Sequence, residues 1–147
     1  MADFVFNIAK GKIGYYAGLP ATNDEFIIVP LETTDIETDA VLKDYDDLAT
    51  LLASTNNEQT TMGRKTAANL TVTVDDANDR LVVDMDDVTW TSASGNPVSK
   101  ILVCYDADTT SGTDTDIIPL TAHDFVVSPN GGDVTAQVAA TGFFRAV

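Results

Sequence analysis

The chain is poor in the residues that most covalent and metal chemistry requires: its 147 residues include a single cysteine, Cys104, and a single histidine, His123. One cysteine cannot close an internal disulfide, which fits assembly in a reducing cytoplasm. A nucleophilic thiol needs a base beside it, and His123 stands next to Asp124 in what reads as a turn, at no spacing typical of a cysteine enzyme. Cys104, inside the apolar run 101–105, reads instead as a small buried hydrophobe. Positive charge is also scarce, with eight Lys and Arg against 23 acids and a net charge of −15. Nucleic-acid binding needs basic groups to displace counterions from phosphates, so that class of partner is not expected. No apolar run approaches the ~20 residues that cross a bilayer. The opening "MADFVFNIAKGKIGYY" carries Asp3 where a secretory signal carries positive charge, and Asn7 and Lys10 interrupt its apolar stretch. A soluble protein without a membrane partner is expected.

The residues present are those of a folded domain. The apolar fraction is 44%, and Trp90, four tyrosines and six phenylalanines supply bulk that disordered acidic chains lack. The length suits one domain over residues 1–147, with one core. Of the 23 acids, 19 are aspartate. Because the short aspartate side chain bonds nearby backbone N–H groups, the excess belongs to turns and loops more than to helices.

Along the chain, residues 3–16 are rich in aromatic and β-branched side chains and read as a strand bent at Gly11 and Gly14. Phe4, Phe6 and Ile8 alternate along it. Within residues 1–16 they are candidates for adding a strand to a neighbour's sheet, against the simpler reading of an internal strand. A second run, residues 26–31, carries Pro30, which suggests a sheet edge because proline has no N–H to donate. "TDAVLKDYDDLATLLAS" reads as the one amphipathic helix, with Val41, Tyr45, Leu48 and Leu52 on its buried face and Thr38 or Asp39 as cap. Residues 55–68 show no apolar period and hold the adjacent positives Arg64 and Lys65. A structureless stretch of that length is unusual in a compact domain. It is a candidate contact arm, against the plainer reading of a solvated loop.

From residue 69 the period changes to two. "NLTVTV" and "RLVVDM" put Leu70, Val72, Val74 and Leu81, Val83, Met85 on single sides, forming a hairpin joined by the loop "DDAND". A short strand containing Trp90 follows. Residues 98–105 are apolar on both sides apart from Ser99 and Lys100 and read as a central, covered strand. "IIPL", residues 125–127, residues 134–138 and "GFFRAV" read as further short strands separated by turns such as "SPNGGD". The expected fold is mainly β, an antiparallel β-sandwich or barrel with one amphipathic helix packed on it.

Between residues 103 and 120 lies the sequence "VCYDADTTSGTDTDIIPL", which places Asp106, Asp108, Asp114 and Asp116 within eleven residues. Calcium takes six to eight oxygen ligands, and clustered aspartates around a glycine can supply them. Counted as an EF-hand from Asp106, the loop has Thr110 at position 5, Gly112 at 7 and Ile117 at 12, so that motif is absent. A calcium loop of another type and a solvated turn both remain, the turn being the preferred reading. The loop "VDDANDR" reads as an ordinary hairpin turn. Paired carboxylates for acid/base chemistry need an apolar pocket around one of them, and these acids cluster in polar loops. No phosphate loop, zinc spacing or nucleophile elbow is present. Neither an enzyme nor a cofactor is expected.

"NIAKGKIGYY", "DAVLKDYDDLATLLA", "DDANDRLVVD", "VTWT" and above all "SKILVCYDADTTSGTDTDIIPLTAHDFVVSPNGGDVTAQVAATGFFRA" resemble a group of small structural proteins of tailed double-stranded DNA bacteriophages. The resemblance runs through almost the whole chain and is strongest from Val98 onward. It implies a virion component, foremost a head decoration or cement protein made in the host cytoplasm and bound to the outer surface of the capsid. Its partners would be the major capsid protein and further copies of itself, with trimers matching local threefold axes. The alternatives are a tail, neck or fibre-associated virion protein and, from another class, a calcium-dependent glycan-binding β-sandwich. No catalytic residues carry over from the resemblance.

Overall fold

The structure, a computed structural model, describes residues 2–147. In chain order the strands are β1 (Phe4–Val5), β2 (Glu25–Glu32), β3 (Lys65–Thr66), β4 (Thr71–Asp75), β5 (Arg80–Asp84), β6 (Val88–Trp90), β7 (Val98–Asp106), β8 (Ile117–Val127), β9 (Val134–Ala136) and β10 (Phe144–Ala146). Three short helices, α1 (Ile13–Ala17), α2 (Asp39–Leu42) and α3 (Leu48–Leu52), and 3-10 turns at Asn7–Ala9 and Asp114–Asp116 complete the chain. The protein is mainly β, and every strand pairing is antiparallel.

The central sheet has the order β1-β8-β7-β2-β3. β7 lies in its middle because its sequence is apolar on both sides: every residue except Asp106 is buried, Ser99 and Lys100 included. Complete burial of side chains such as Leu102 and Val103 contributes roughly 1.5–3 kcal/mol each. One face of the sheet, bearing Lys100 and Leu102, is covered by the helical segments. Lys100 meets Asp39 at the start of α2, α3 packs on β8, and the Asn7 N–H donates to the Lys43 carbonyl. The other face, bearing Ile101, Val103 and Phe125, lies under a second β layer. That layer consists of a three-stranded sheet, β10-β5-β4, and the ribbon β6-β9. Trp90 of the ribbon stacks 6.0 Å from the Phe125 ring.

Several local expectations change. Residues 3–16 do not form one strand: after Phe4–Val5 the chain makes a 3-10 turn, a left-handed step at Gly11 (φ +72°) and α1. Gly14 permits close packing rather than a bulge, since a Cβ there would lie 2.7 Å from Leu81 Cδ2. The single helix expected over 38–54 is two helices. Asp47 is extended and caps α3 by accepting the Thr50 N–H at 2.7 Å, which restarts the helix after a break in the aspartate-rich middle. The buried residues are therefore Leu42, Leu48 and Leu51, while Val41 is exposed. His123 and Asp124 do not stand in a turn, because β8 runs unbroken through them with a register shift opposite Val103/Cys104.

β2 is interior, not an edge, yet Pro30 fits it. The Pro30 carbonyl accepts from Gln59 N–H on the side away from β7, so the missing proline N–H removes no bond from the β2–β7 ladder. Residues 55–68 are tied down by buried amides and a short strand. Gln59 is buried, with its Nε2 donating to Asn96 O at 2.7 Å and its Oε1 accepting from Thr61 N–H at 2.9 Å. β3 pairs with Ile27 and Ile28 of β2.

Candidate functional site

Three regions carry the candidate residues: the N-terminal clasp, the Arg64 junction and the outer hairpin.

The N-terminal segment folds onto the chain's own sheet. Phe4 and Val5 pair with Ala122 and Thr121 of β8, and Phe6 is fully buried with its ring 5.2 Å from Phe4. Ile8 packs against the same core. Phe6 therefore has no surface left for a partner, and the strand that Phe4 begins pairs with the chain's own β8 at the edge of the central sheet. Beneath it sits a feature that periodicity did not reveal. Lys100, with no exposed surface, forms ion pairs with Asp124 and with Asp39 Oδ1 (3.2 Å), donates to the Ala2 carbonyl at 3.2 Å and lies 5.4 Å from the Phe4 ring centre. Ala2 N–H donates to Asp39 Oδ2 at 2.7 Å, which closes the clasp. Burial pushes the Asp39 carboxyl up, but the Ala2 N–H and Lys100 outweigh it and hold Asp39 below its ordinary range. Asp3 behaves alike: burial raises it, while the Asp124 N–H and His123 bring it lower. His123 Nδ1 lies 3.3 Å from Asp3, and Nε2 lies 2.9 Å from Thr121 Oγ1. The lone lysine inside "VSKILVCY" was the sequence signal for this clasp, since a charge in a fully covered strand must find partners.

Arg64 is committed internally. Its guanidinium grips Glu58 (2.7 and 2.9 Å) and Asp114 (2.7 and 2.9 Å), both in two-point contact. Gly63, in a left-handed turn (φ +75°), presents its carbonyl to Trp90 Nε1 at 2.9 Å and sets the direction of the residue that follows. Lys65 is half-buried in β3. The candidate contact arm is thus a fastening between β2, the second layer and the aspartate loop.

The four loop aspartates do not converge. Asp108 caps its own turn, accepting the N–H and O–H groups of Thr110 and Ser111, which hold its carboxyl far below the ordinary range. Asp116 closes a capping box with Thr113, Asp114 faces Arg64, and Asp106 accepts the Asp108 N–H. Among the described residues no three His, Cys, Asp or Glu side chains are placed to hold a metal ion. The carboxylates serve the loop's own backbone and its anchor. Cys104 is fully buried, and burial pushes its thiol pKa well up, away from the thiolate that reactivity needs.

A cavity of about 270 Å³ lies between the central sheet and the second layer. Met85, Val88, Val103 and Phe143 form its apolar walls, and Asp3 and His123 line it as well. The Asp3–His123 contact belongs to its lining.

The outer hairpin is an open region of the molecule. β4 is exposed along nearly its whole length, with Val72 and Val74 38% and 69% accessible. Sequence periodicity placed these valines on one side of the hairpin's first strand and Leu81 and Val83 on one side of its second. The side is right, since Val72 lies opposite Val83 and Val74 opposite Leu81. That side is covered more fully over β5, where Val83 is buried and Leu81 meets Gly14 of α1, than over β4, which α1 also touches.

Comparison with known proteins returns no match of this chain to a family model, to a curated protein or to a solved structure.

Proposed function

We propose that the chain is a virion structural protein, a decoration protein of a tailed-phage head that binds the outer surface of the capsid shell and stabilises it. The observation that carries this reading is the sequence resemblance from Val98 onward. In the structure that segment forms β7, β8, β9 and β10, so the resemblance lies on the scaffold of the molecule. Three physical features support it. The net charge of −15 suits an outer face and disfavours contact with packaged DNA. Lys100, Asp39, Arg64 and Asp114 are engaged in ion pairs that fasten segments together. A stiff sheet clamped at its N-terminus and across its loops can bridge neighbouring shell subunits and oppose their separation by adding buried interface, ~1,200–2,000 Å² for a stable contact.

The partners on this reading are the major capsid protein and other copies of the chain at local symmetry axes. The test is saturable co-sedimentation with shells from which the protein has been stripped. Binding that saturates at a fixed ratio to shell subunits and raises the shell's melting temperature is the expected result. Absence of binding to shells, with binding to isolated tails, overturns the head assignment in favour of a tail or neck component.

A further inference from the structure

Edge strands invite pairing, and soluble proteins blunt them by making them short or by placing lysine, proline or a bulge on them. Among the described residues, the terminal strands of the sheets follow that rule except for β4. β1 and β3, at the two edges of the central sheet, are two residues long, and β6, β9 and β10 are three. β10 also carries Arg145. β4 is five residues long, is an edge of its sheet, and runs in regular register with β5 without a bulge. Its first four residues, Thr71 to Val74, are uncharged and β-prone. Alternate N–H and C=O groups along its outer side have no strand partner among the described residues. Tyr15, 66% accessible, belongs to α1, which packs against β4 and β5. The apolar side of β4 therefore continues past the covered part of the sheet into solvent.

The charge around this edge selects among occupants. Residues 69–87 contain six aspartates and one arginine, and Arg80 is already paired with Asp75 at 2.8 Å. Asp76 and Asp79 lie in the connection at one end of β4, and Asp84 lies opposite Thr71 at the other. A second copy would bring the same acids to the same edge. A strand with basic residues beyond its ends would meet carboxylates at both ends and apolar side chains between.

We propose that the outer edge of β4 is a strand-addition site for an extended segment of another protein, apolar at its centre and carrying lysine or arginine at its ends. The main chain of that segment extends the β10-β5-β4 sheet, its alternate apolar side chains lie beside Val72 and Val74, and its basic ends face Asp76 and Asp84. This goes beyond the decoration reading, because it holds whether the partner belongs to a shell, a tail or neither.

The test is titration of the isotope-labelled full chain with a synthetic peptide of alternating valine and threonine with two lysines at each end, followed by amide chemical shifts. A peptide with glutamates in place of the lysines is the control. Expected are saturable shifts at Thr71–Asp75 and Tyr15, at least about tenfold weaker binding of the glutamate peptide, and weakening as salt is raised. Val74→Lys, an exposed substitution whose remaining spectrum reports an intact fold, should abolish the shifts. No shift at β4, equal binding of both peptides, or shifts that survive Val74→Lys would overturn the proposal. So would concentration-dependent dimerisation through β4 in sedimentation, which would assign the edge to a second copy.

Discussion

β7 and β4 are both rich in valine and leucine-like positions, yet one is the most enclosed strand of the molecule and the other the most open. β7 has a strand on each side and a layer on each face, so even its polar residues are inside, and Lys100 requires Asp39 and Asp124 to be tolerated there. β4 has one neighbour, and much of its valine surface faces water. Apolar content alone therefore does not separate the part of a chain that holds the fold from the part that meets a partner. The number of neighbouring strands does, together with what lies beyond the last one.

The contrast can be broken at its strongest point first. Leu102→Ala removes buried methyl groups from β7 and is expected to cost about 3 kcal/mol, read as a lower urea midpoint at unchanged slope. Lys100→Met keeps the volume but leaves Asp39 and Asp124 without their cation; about 2–3 kcal/mol is expected, tempered because both carboxylates reach solvent. If Lys100→Met left stability unchanged, the clasp would not hold the N-terminal segment. Arg64→Gln loosens the junction of residues 55–68 with the aspartate loop and should cost about 1 kcal/mol. It should also speed hydrogen exchange in β3 while leaving β7 slow. Val74→Ala on β4 should lie within about 0.5 kcal/mol of the parent, and a loss above 2 kcal/mol would show β4 to be part of the core.

Acid sharpens the same comparison. Asp3, Asp39 and Asp114 are held below their ordinary range in the folded protein, so the unfolded chain takes up protons first as pH falls. Their contribution to stability is complete above the unfolded carboxylate range of about 4 and disappears as pH drops through the folded values. Thermal midpoints should stay flat from pH 7 to about 5 and fall below about 4. The fall should be smaller in Lys100→Met, in which Asp39 has lost part of the reason for its low value.

Much of the fold was legible because period and punctuation agree along the second half of the chain. The central position of β7, the hairpin of β4 and β5, the Trp90 strand and the final strand all stand where alternation and turn residues put them. The N-terminal third was less legible. α1 depends on a close approach of Gly14 to Leu81, and the division of α2 from α3 depends on Asp47 acting as a cap within an otherwise periodic stretch. Neither is visible in hydrophobic spacing. The two candidate contact sets fell on residues that the fold uses itself: Phe6 fills the core, and Arg64 finds Asp114 fifty positions away in sequence. The open surface was on a strand whose pattern looked like that of a covered one, because alternation reports which residues share a side and not whether anything lies over that side.

The proposed place of this chain against the outside of a phage shell is tested most directly by a reconstruction of the assembled particle. The account predicts density matching the β2–β7–β8 sheet on the outer capsid surface, repeated at equivalent lattice positions. Density confined to the tail or neck, or a particle complete without the chain, would contradict it.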